Sequence, residues 1–350
     1  MPLKSTLAIT VSLASIALAS PASAEIARSA DSFVNSVGVN VHLTYGDTSY
    51  GKTDMVLKRL RQLGVRYVRD GLCGSCAWQL GNLHRLAAAG IKSDLIMGNP
   101  NGKPDTLSHN VSAIKNSLLG SVVSVEGPNE WDMSGALSWA SHLRTYQQQL
   151  WQDIKGDPAL ANMVVVGPSL ALGSRPALGN LTPSLDYGNM HSYPGGAPPE
   201  SNIGAQLRLG TTNSGSKPVM ATETGYHNAM SATWGQPPVP QPVTASYIPR
   251  TFLSYFARGV VRTFTYELVD EWPGQEAKNP EASFGLLNAD FSPKPAFTSL
   301  TNLLQTLADP GPRVPSRDVP LTVTARTGDL VHMLFHKRDG SLDLVLWRAA

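Results

Sequence analysis

The stretch "SVVSVEGPNEWD" (Ser121–Asp132) decides how the rest of the chain is read. It begins as a nearly all-apolar β-type run and then stops on an acid, Glu126, a Gly-Pro turn and an Asn-Glu pair, Asn129 and Glu130. A buried strand that finishes in carboxylates is the arrangement a (β/α)₈ barrel uses, because its chemistry sits at the C-terminal ends of its strands.

Working outward, the same kind of run recurs. Segments rich in Val, Ile, Tyr and Met lie at 36–43, 64–70, 91–98, 121–127, 162–167, 185–191, 217–223 and 260–267. Amphipathic stretches separate them, which is the pattern of repeated βα units. "TDMVLKRLRQLG" (53–64) puts Met55, Val56, Leu57, Leu60 and Leu63 on one face and stops at Gly64. "GALSWASHLRTYQQQLWQDI" (135–154) repeats Leu137, Ala140, Leu143, Tyr146 and Leu150 at helical spacing, with Trp139 and Trp151 as packing residues. Between the fifth and sixth strands the chain is brief and rich in Gly and Pro, so a short or missing helix is expected there. Eight strands with interleaved helices predict an α/β fold, a (β/α)₈ TIM barrel, over 25–310. A doubly wound sheet is the alternative, but Gly46 and Gly51 after the first strand lack the spacing of a dinucleotide turn.

From Gly311 the character changes. "PLTVTAR", "LVHMLFHK" and "LDLVLW" are period-2 segments joined by "TGD" and "RDGS", the latter a tight-hairpin signal. Residues 311–350 are therefore expected to form a small β appendage packed on the barrel. At the other end, Lys4, the apolar "LAITVSLASIALA" and the small-residue "ASA" at 22–24 predict a signal peptide over 1–24. An exported protein, periplasmic or secreted, follows. No later segment approaches the roughly 20 apolar residues of a membrane span. Lys plus Arg number 28 against 26 Asp plus Glu, which implies no basic face for nucleic acid. A monomer without nucleic-acid or membrane partners is expected.

The two cysteines form "CGSC" at Cys73 and Cys76. An oxidising compartment favours a bridge between them as a loop staple. A thiol oxidoreductase uses the same spacing at a helix start, where the N-terminus lowers a thiol pKa.

Polar groups collect at the predicted strand ends: Asn40 and His42 on the first, Arg69 and Asp70 on the second, Glu126, Asn129 and Glu130 on the fourth. His191 and Tyr193 follow on the sixth, Glu223 on the seventh, and Glu267 with Trp272 on the eighth. In this order the chain resembles the clan A glycoside hydrolases, retaining (β/α)₈ enzymes that include families 5 and 39. "EGPNE" at the fourth strand resembles the Asn-Glu pair that carries their acid/base, and "ATETG" at the seventh resembles the segment of their nucleophile. "HSY" at 191–193 and "VRYVRDG" at 65–71 resemble the His-x-Tyr and second-strand Arg of family 5, and "FGLLNADFSPKPAF" (284–297) resembles these enzymes' closing segment. At the third strand, where family 5 carries a His, this chain has "MGNPNG".

Glycosidic cleavage itself calls for these groups: one carboxylic acid to protonate the leaving oxygen and one carboxylate to attack the anomeric carbon. Glu130 is assigned the first role and Glu223 the second. Arg69 and Tyr193 are expected to keep Glu223 ionised, and burial to raise the pKa of the acid. Asn129 suits the sugar 2-hydroxyl; His42, His191 and Glu267 are supporting candidates, and Glu126 a buried orienting partner. Trp131, Trp234 and Trp272 are candidate sugar platforms, Trp131 with packing beneath the barrel rim as its competitor, and His227 is a candidate subsite residue. Acids at strand ends also serve as helix caps, which is the competing reading of Glu130. No metal-ligand spacing appears, and no cofactor is expected. The expected function is an exported retaining glycoside hydrolase acting on a β-linked oligo- or polysaccharide. The alternatives are a glycan-binding barrel without catalysis and an exported thiol-disulfide oxidoreductase.

Overall fold

The computed structural model describes residues 9–13, 24–102, 106–171, 175–325 and 330–349. Asn35–Leu304 form one compact unit, and the two chain ends, Met1–Val34 and Gln305–Ala350, form another.

The larger unit is the barrel. Its strands are β1 (Val37–Asn40), β2 (Tyr67–Gly71), β3 (Lys92–Ile96), β4 (Val122–Glu126), β5 (Val164–Val166), β6 (Gly188–His191), β7 (Val219–Thr224) and β8 (Thr263–Thr265). They pair in parallel in the order β5-β4-β3-β2-β1-β8-β7-β6. A parallel bridge between Val166 and Tyr187 joins the two outer strands and closes the ring. Every segment expected as a strand overlaps one; β2 and β7 each run one residue past the expected end, and all eight start later than expected because the apolar runs include the preceding turns. Gly38 faces the Phe264 ring so closely that any Cβ would collide with it, so β1 and β8 can approach only with glycine there.

Helices α1 (Thr53–Leu63), α2 (Ala77–Ala88), α3 (Thr106–Ala113), α4 (Trp139–Lys155), α5 (Arg175–Leu178), α6 (Ile203–Thr211), α7 (Gln241–Ala257) and α8 (Pro295–Thr306) follow the strands in turn. Helix α1 buries Val56, Leu57, Leu60 and Leu63 and ends where Gly64 takes φ 85°, its N–H donating to the Leu60 carbonyl. Met55, expected on that face, lies at its half-buried edge. Helix α4 starts at Trp139 and buries Leu143, Gln147, Leu150 and Ile154. Leu137, expected on its apolar face, instead precedes the helix and is fully exposed. The short helix expected after the fifth strand is the four-residue α5.

The second unit is a sheet in the order 9–13, 317–325, 24–29, 330–336, 342–348. Leu330–His336 and Leu342–Arg348 form the expected antiparallel hairpin, turning at Gly340 with φ 89°. The appendage is not built from 311–350 alone, however. Ala24–Ser29 inserts between Arg317–Ala325 and Leu330–His336, parallel to the latter. A lone hairpin is marginal in water, and the inserted strand supplies Ala27 to a core with Val319, Leu321 and Leu334. The expected "TGD" connection lies outside the described residues. So does the predicted leader, except for Ala24 and for Ile9–Leu13, which pairs antiparallel with Leu321–Ala325. No helix among the described residues is long and apolar enough to cross a membrane.

Candidate active site

Alternation along the barrel strands sets the layers. Tyr67, Val164, Met220 and Phe264 belong to one apolar cluster. Two residues beyond Tyr67, Met220 and the Gly38 that faces Phe264 come Arg69, Thr222 and Asn40, on the same faces and one layer closer to the strand ends.

Arg69 is the hub of this upper layer and only 2% exposed. Its Nε and Nη2 donate to the two oxygens of Glu126 at 2.8 and 2.7 Å, a bidentate pair. Nη1 donates to Glu223 at 2.6 Å and to Asn40 Oδ1 at 3.1 Å, and Nη2 also to Asn129 Oδ1 at 2.7 Å. Glu126, fully buried, accepts further from Asn189 Nδ2 at 2.9 Å and Thr222 Oγ1 at 3.3 Å. Its partner is thus an arginine, and its role is to fix that arginine. Asp70 has a different task. It accepts from the amides of Leu43 and Gly71 and from Gln79 Nε2, tying the loop after β1 to the start of α2.

Glu223 reaches the hub through an irregularity in β7. Between Met190 and His191 the β6–β7 register advances from Ala221 to Glu223, and between Thr263 and Thr265 the β8–β7 register advances three residues, from Ala221 to Thr224. An extra residue in β7 re-aims a side chain that strict alternation would turn away, so Thr222 and Glu223 both join the network. Tyr193 Oη donates to Glu223 Oε2 at 2.7 Å. Burial pushes the Glu223 carboxyl up, but the charges of His191 and Arg69 and the hydrogen bonds from Tyr193 and Arg69 prevail and hold it below its ordinary value. Burial, then the charge of Glu223, pushes the Tyr193 phenol well up, so it stays a donor.

Opposite stands Glu130, with a quarter of its side chain exposed. It precedes a single 3₁₀ turn, Trp131–Met133, but its side chain makes no capping bond. Its backbone is left-handed at φ 44°, a conformation that costs a non-glycine residue on the order of 1 kcal/mol and persists only where the surroundings impose it. Here its N–H is held by Ser169 Oγ at 3.2 Å. Just before it, Gly127 leaves no room for a Cβ beside Gln147 Oε1, so this turn requires glycine. Glu130 Oε1 and His191 Nδ1 share a hydrogen bond at 2.6 Å, while Nε2 faces Thr222 Oγ1 at 3.1 Å. One oxygen each of Glu130 and Glu223 and a ring nitrogen of His191 lie within 4.8 Å of one another. Because a guanidinium can only donate, Arg69 fixes the Asn129 amide with Oδ1 inward, leaving its NH₂ group for a ligand.

These groups line a cleft of about 650 Å³ that also takes in His42, Tyr45, Arg175, Gln236, Tyr266, Glu281 and Phe284. His42 stacks on Tyr45 with centroids 4.7 Å apart, and burial pulls its imidazole down to about 4 against the charge of Glu223. Several candidates fall elsewhere. Trp131 is buried with Leu143, Leu170, Leu178, Leu181 and Leu185 beneath the rim, so it is a core residue and no sugar platform. Trp272 and Trp234 do not line the cleft; the first is half-buried and the second 55% exposed. His227 is buried and held by the Gln236 carbonyl at 2.6 Å, which makes it a loop anchor. Glu267 lies behind the cleft wall, fully buried, accepting from Tyr50 Oη at 2.8 Å. Cys73 and Cys76 form a disulfide in the β2–α2 loop, away from the cleft lining. Among the unforeseen lining residues, Tyr45, Tyr266, Gln236 and Phe284 come from loops without periodicity, Glu281 from a single 3₁₀ turn, and Arg175, Gln206 and Leu209 from α5 and α6; "TYE" at the eighth strand end was the one visible hint.

Two groups of three side chains bring possible metal-ligating atoms together, Glu130–His191–Glu223 and His42–Glu267–Glu271. In the first, the Arg69 cation touches Glu223 and a hydrogen bond joins His191 to Glu130, which leaves little for a metal to gain.

The sequence matches no protein-family model and no curated protein. Solved structures do share its architecture. The family 17 β-1,3-glucanosyltransferase of Rhizomucor miehei is 20% identical over 77% of this chain and 98% of its own, with TM-score 0.59. An active-site mutant of the R. miehei β-1,3-glucanosyltransferase, in complex with laminaritriose, is 20% identical over 74% of this chain and 96% of its own, with TM-score 0.57. A family 39 glycoside hydrolase of Bacteroides cellulosilyticus WH2 is 16% identical over 92% of this chain and 71% of its own, with TM-score 0.62. The likeness is one of fold, the TIM barrel of glycoside hydrolases.

Proposed function

We propose that this chain is a retaining glycoside hydrolase that cleaves β-linked oligo- or polysaccharides by double displacement. The observation that carries the proposal is the carboxylate pair: one oxygen of Glu130 lies within 4.8 Å of one of Glu223, a closeness that favours the short separation of retaining enzymes, about 5–5.5 Å between carboxyl groups, over the roughly 6.5–9.5 Å that admits an inverting water. Glu223, ionised and aimed by Arg69 and Tyr193, attacks the anomeric carbon as Glu130 gives its proton to the leaving oxygen. A glycosyl ester on Glu223 results. Water then enters from the vacated side, gives its proton to Glu130 and releases a β-configured product. The Asn129 amide is placed to bind the sugar 2-hydroxyl. Laminaritriose, present in a structural neighbour, makes β-1,3-glucan oligosaccharides the first of a β-glycan panel to try. The leader-like residues 1–24 support export to the periplasm or beyond.

The test is stereochemical. Proton NMR of the first product should show the β anomer before mutarotation, and a 2-fluoro glycoside should label Glu223. Glu130→Ala should keep activity on aryl glycosides, whose leaving group needs no proton, and added azide should accelerate it. First formation of the α anomer, or a label on Glu126 or Glu267, would overturn the assignment.

A further inference from the structure

We propose that His42, Glu267 and Glu271 form a binding site for one divalent transition cation, Zn²⁺ or Mn²⁺, behind the wall of the cleft. The ends of β1 and β8 bring the three side chains together, and one ligand atom from each lies within 4.8 Å of the others. Glu267 is fully buried and Glu271 is 1% exposed. Among the described residues, His42 Nε2, Glu267 Oε1 and Glu271 Oε1 are buried with no hydrogen-bond partner. Two desolvated carboxylates in one spot need a positive charge or a proton between them. The charges acting on Glu267 are those of Glu271, Asp270 and Glu281, and on Glu271 those of Glu281 and Asp47, all negative. The nearby cation Lys294 is engaged by Asp270 at 2.8 Å.

The spacing itself speaks for an ion. His42 Nε2 stands 3.6 Å from Glu267 Oε2 and 3.7 Å from Glu271 Oε1, too far for a hydrogen bond. Ligands at about 2.0–2.2 Å from a tetrahedral Zn²⁺ are about 3.4 Å apart, so the two edges at His42 need only a few tenths of an ångström of closure, and the Glu267–Glu271 edge lies within 4.8 Å. One imidazole and two carboxylates suit Zn²⁺ or Mn²⁺ and leave a fourth position open. Part of the outer shell that metal sites use is already in place. Tyr50 Oη donates to Glu267 Oε2 at 2.8 Å, and Tyr45, Tyr50 and Tyr266 fix the His42 ring by one stacked and two edge contacts. The ion clamps β1 to β8 and so steadies Tyr45 and Tyr266, which line the cleft. Because its ligands lie at opposite ends of the barrel sequence, no local spacing announces it.

The test is independent of turnover. The purified full chain is stripped with EDTA and titrated separately with Zn²⁺ and Mn²⁺ by calorimetry, with elemental analysis after desalting and thermal unfolding with and without metal. One ion per chain is expected, with a metal-dependent rise in Tm. Glu271→Gln should weaken binding by at least roughly 10–100-fold and remove the rise, and Tyr50→Phe should weaken it about tenfold. His42→Ala, at a partly exposed position, gives the same reading should Glu271→Gln fail to fold. Glu130→Gln should bind as the wild type does. No stoichiometric ion in the wild type, undiminished binding in both Glu271→Gln and His42→Ala, or loss of binding in Glu130→Gln would each overturn the proposal.

Discussion

Tyr193→Phe isolates one hydrogen bond to the proposed nucleophile. The hydroxyl donates to Glu223 Oε2 at 2.7 Å, while the ring packs edge-on to Phe284 with centroids 5.7 Å apart and the Tyr193 carbonyl accepts from Asn202 Nδ2 at 3.2 Å. The ring and backbone therefore stay in place when the oxygen is removed. A hydrogen bond to a charged group contributes about 1.5–3 kcal/mol, and 1.36 kcal/mol corresponds to one pKa unit, so Glu223 should rise by about 1–2 units. The direction follows from the chemistry. As the proposed nucleophile, Glu223 would attack only when ionised; its carboxyl is held below its ordinary value, and activity should fall as pH drops through its pKa. Losing a bond to the ionised form moves that acid limb to higher pH. Measured as kcat/KM against pH on an aryl β-glycoside, the midpoint of the limb should shift upward by about 1–2 units, the plateau falling by less. Below the wild-type limb this is a loss of roughly 10–100-fold. A limb that stays where it was, with an unchanged plateau, would show that Tyr193 does not act on the nucleophile.

Cys73→Ser with Cys76→Ser should leave kcat/KM essentially unchanged and lower stability by about 2 kcal/mol, since the bridge spans only three positions of chain; a folded double variant without glycosidase activity, or a wild type that efficiently reduces insulin disulfides, would favour redox chemistry instead. Trp131→Ala should cost about 3–5 kcal/mol in denaturant unfolding because its indole fills the leucine cluster under the rim. KM for oligosaccharides should hardly change at temperatures where the variant is folded; a large rise in KM at wild-type stability would return Trp131 to the sugar.

Most of the barrel was legible because parallel strands buried on both faces read as apolar runs whatever their register, and because Gly64 and Gly127 sit at turns that admit little else. The polar layer was legible for the same reason inverted: Arg69, Glu126 and Asn40 interrupt those runs near their ends. Three things were hidden. The extra residue in β7 that turns Glu223 inward is a property of pairing with β6 and β8, and nothing in "ATETG" marks it. Ala24–Ser29 follows directly on an apolar leader-like segment and is too short to declare itself a strand without its partners. Trp131, Trp234 and Trp272 lie in loops or single turns, where no periodicity separates a core-facing indole from one offered to a ligand.

The value of placing Glu126 under Arg69 becomes clear when the charges are counted together. An uncompensated guanidinium 2.6 Å from Glu223 would hold the carboxylate ionised but bind its electron pair so strongly that attack on carbon would mean giving up a full ion pair. Glu126 removes that conflict. Its bidentate contact neutralises most of the Arg69 charge, so Glu223 keeps a directional hydrogen bond for aim and a surplus negative charge for attack. The fully buried carboxylate is in turn satisfied by Asn189 and Thr222, so the inner pair has no reason to reorganise as charge moves from Glu223 to the sugar. His191 completes the balance from the other side. Hydrogen-bonded to Glu130 at 2.6 Å and 3.4 Å from Glu223, it touches both carboxylates, so in the proposed mechanism the proton that Glu130 gives up and regains would be felt by Glu223 through one ring. The proposed acid/base, Glu130, and the proposed nucleophile, Glu223, are therefore coupled by contact through His191, and the Asn129–Glu130 turn after β4 is where the chain brings that coupling to the mouth of the barrel.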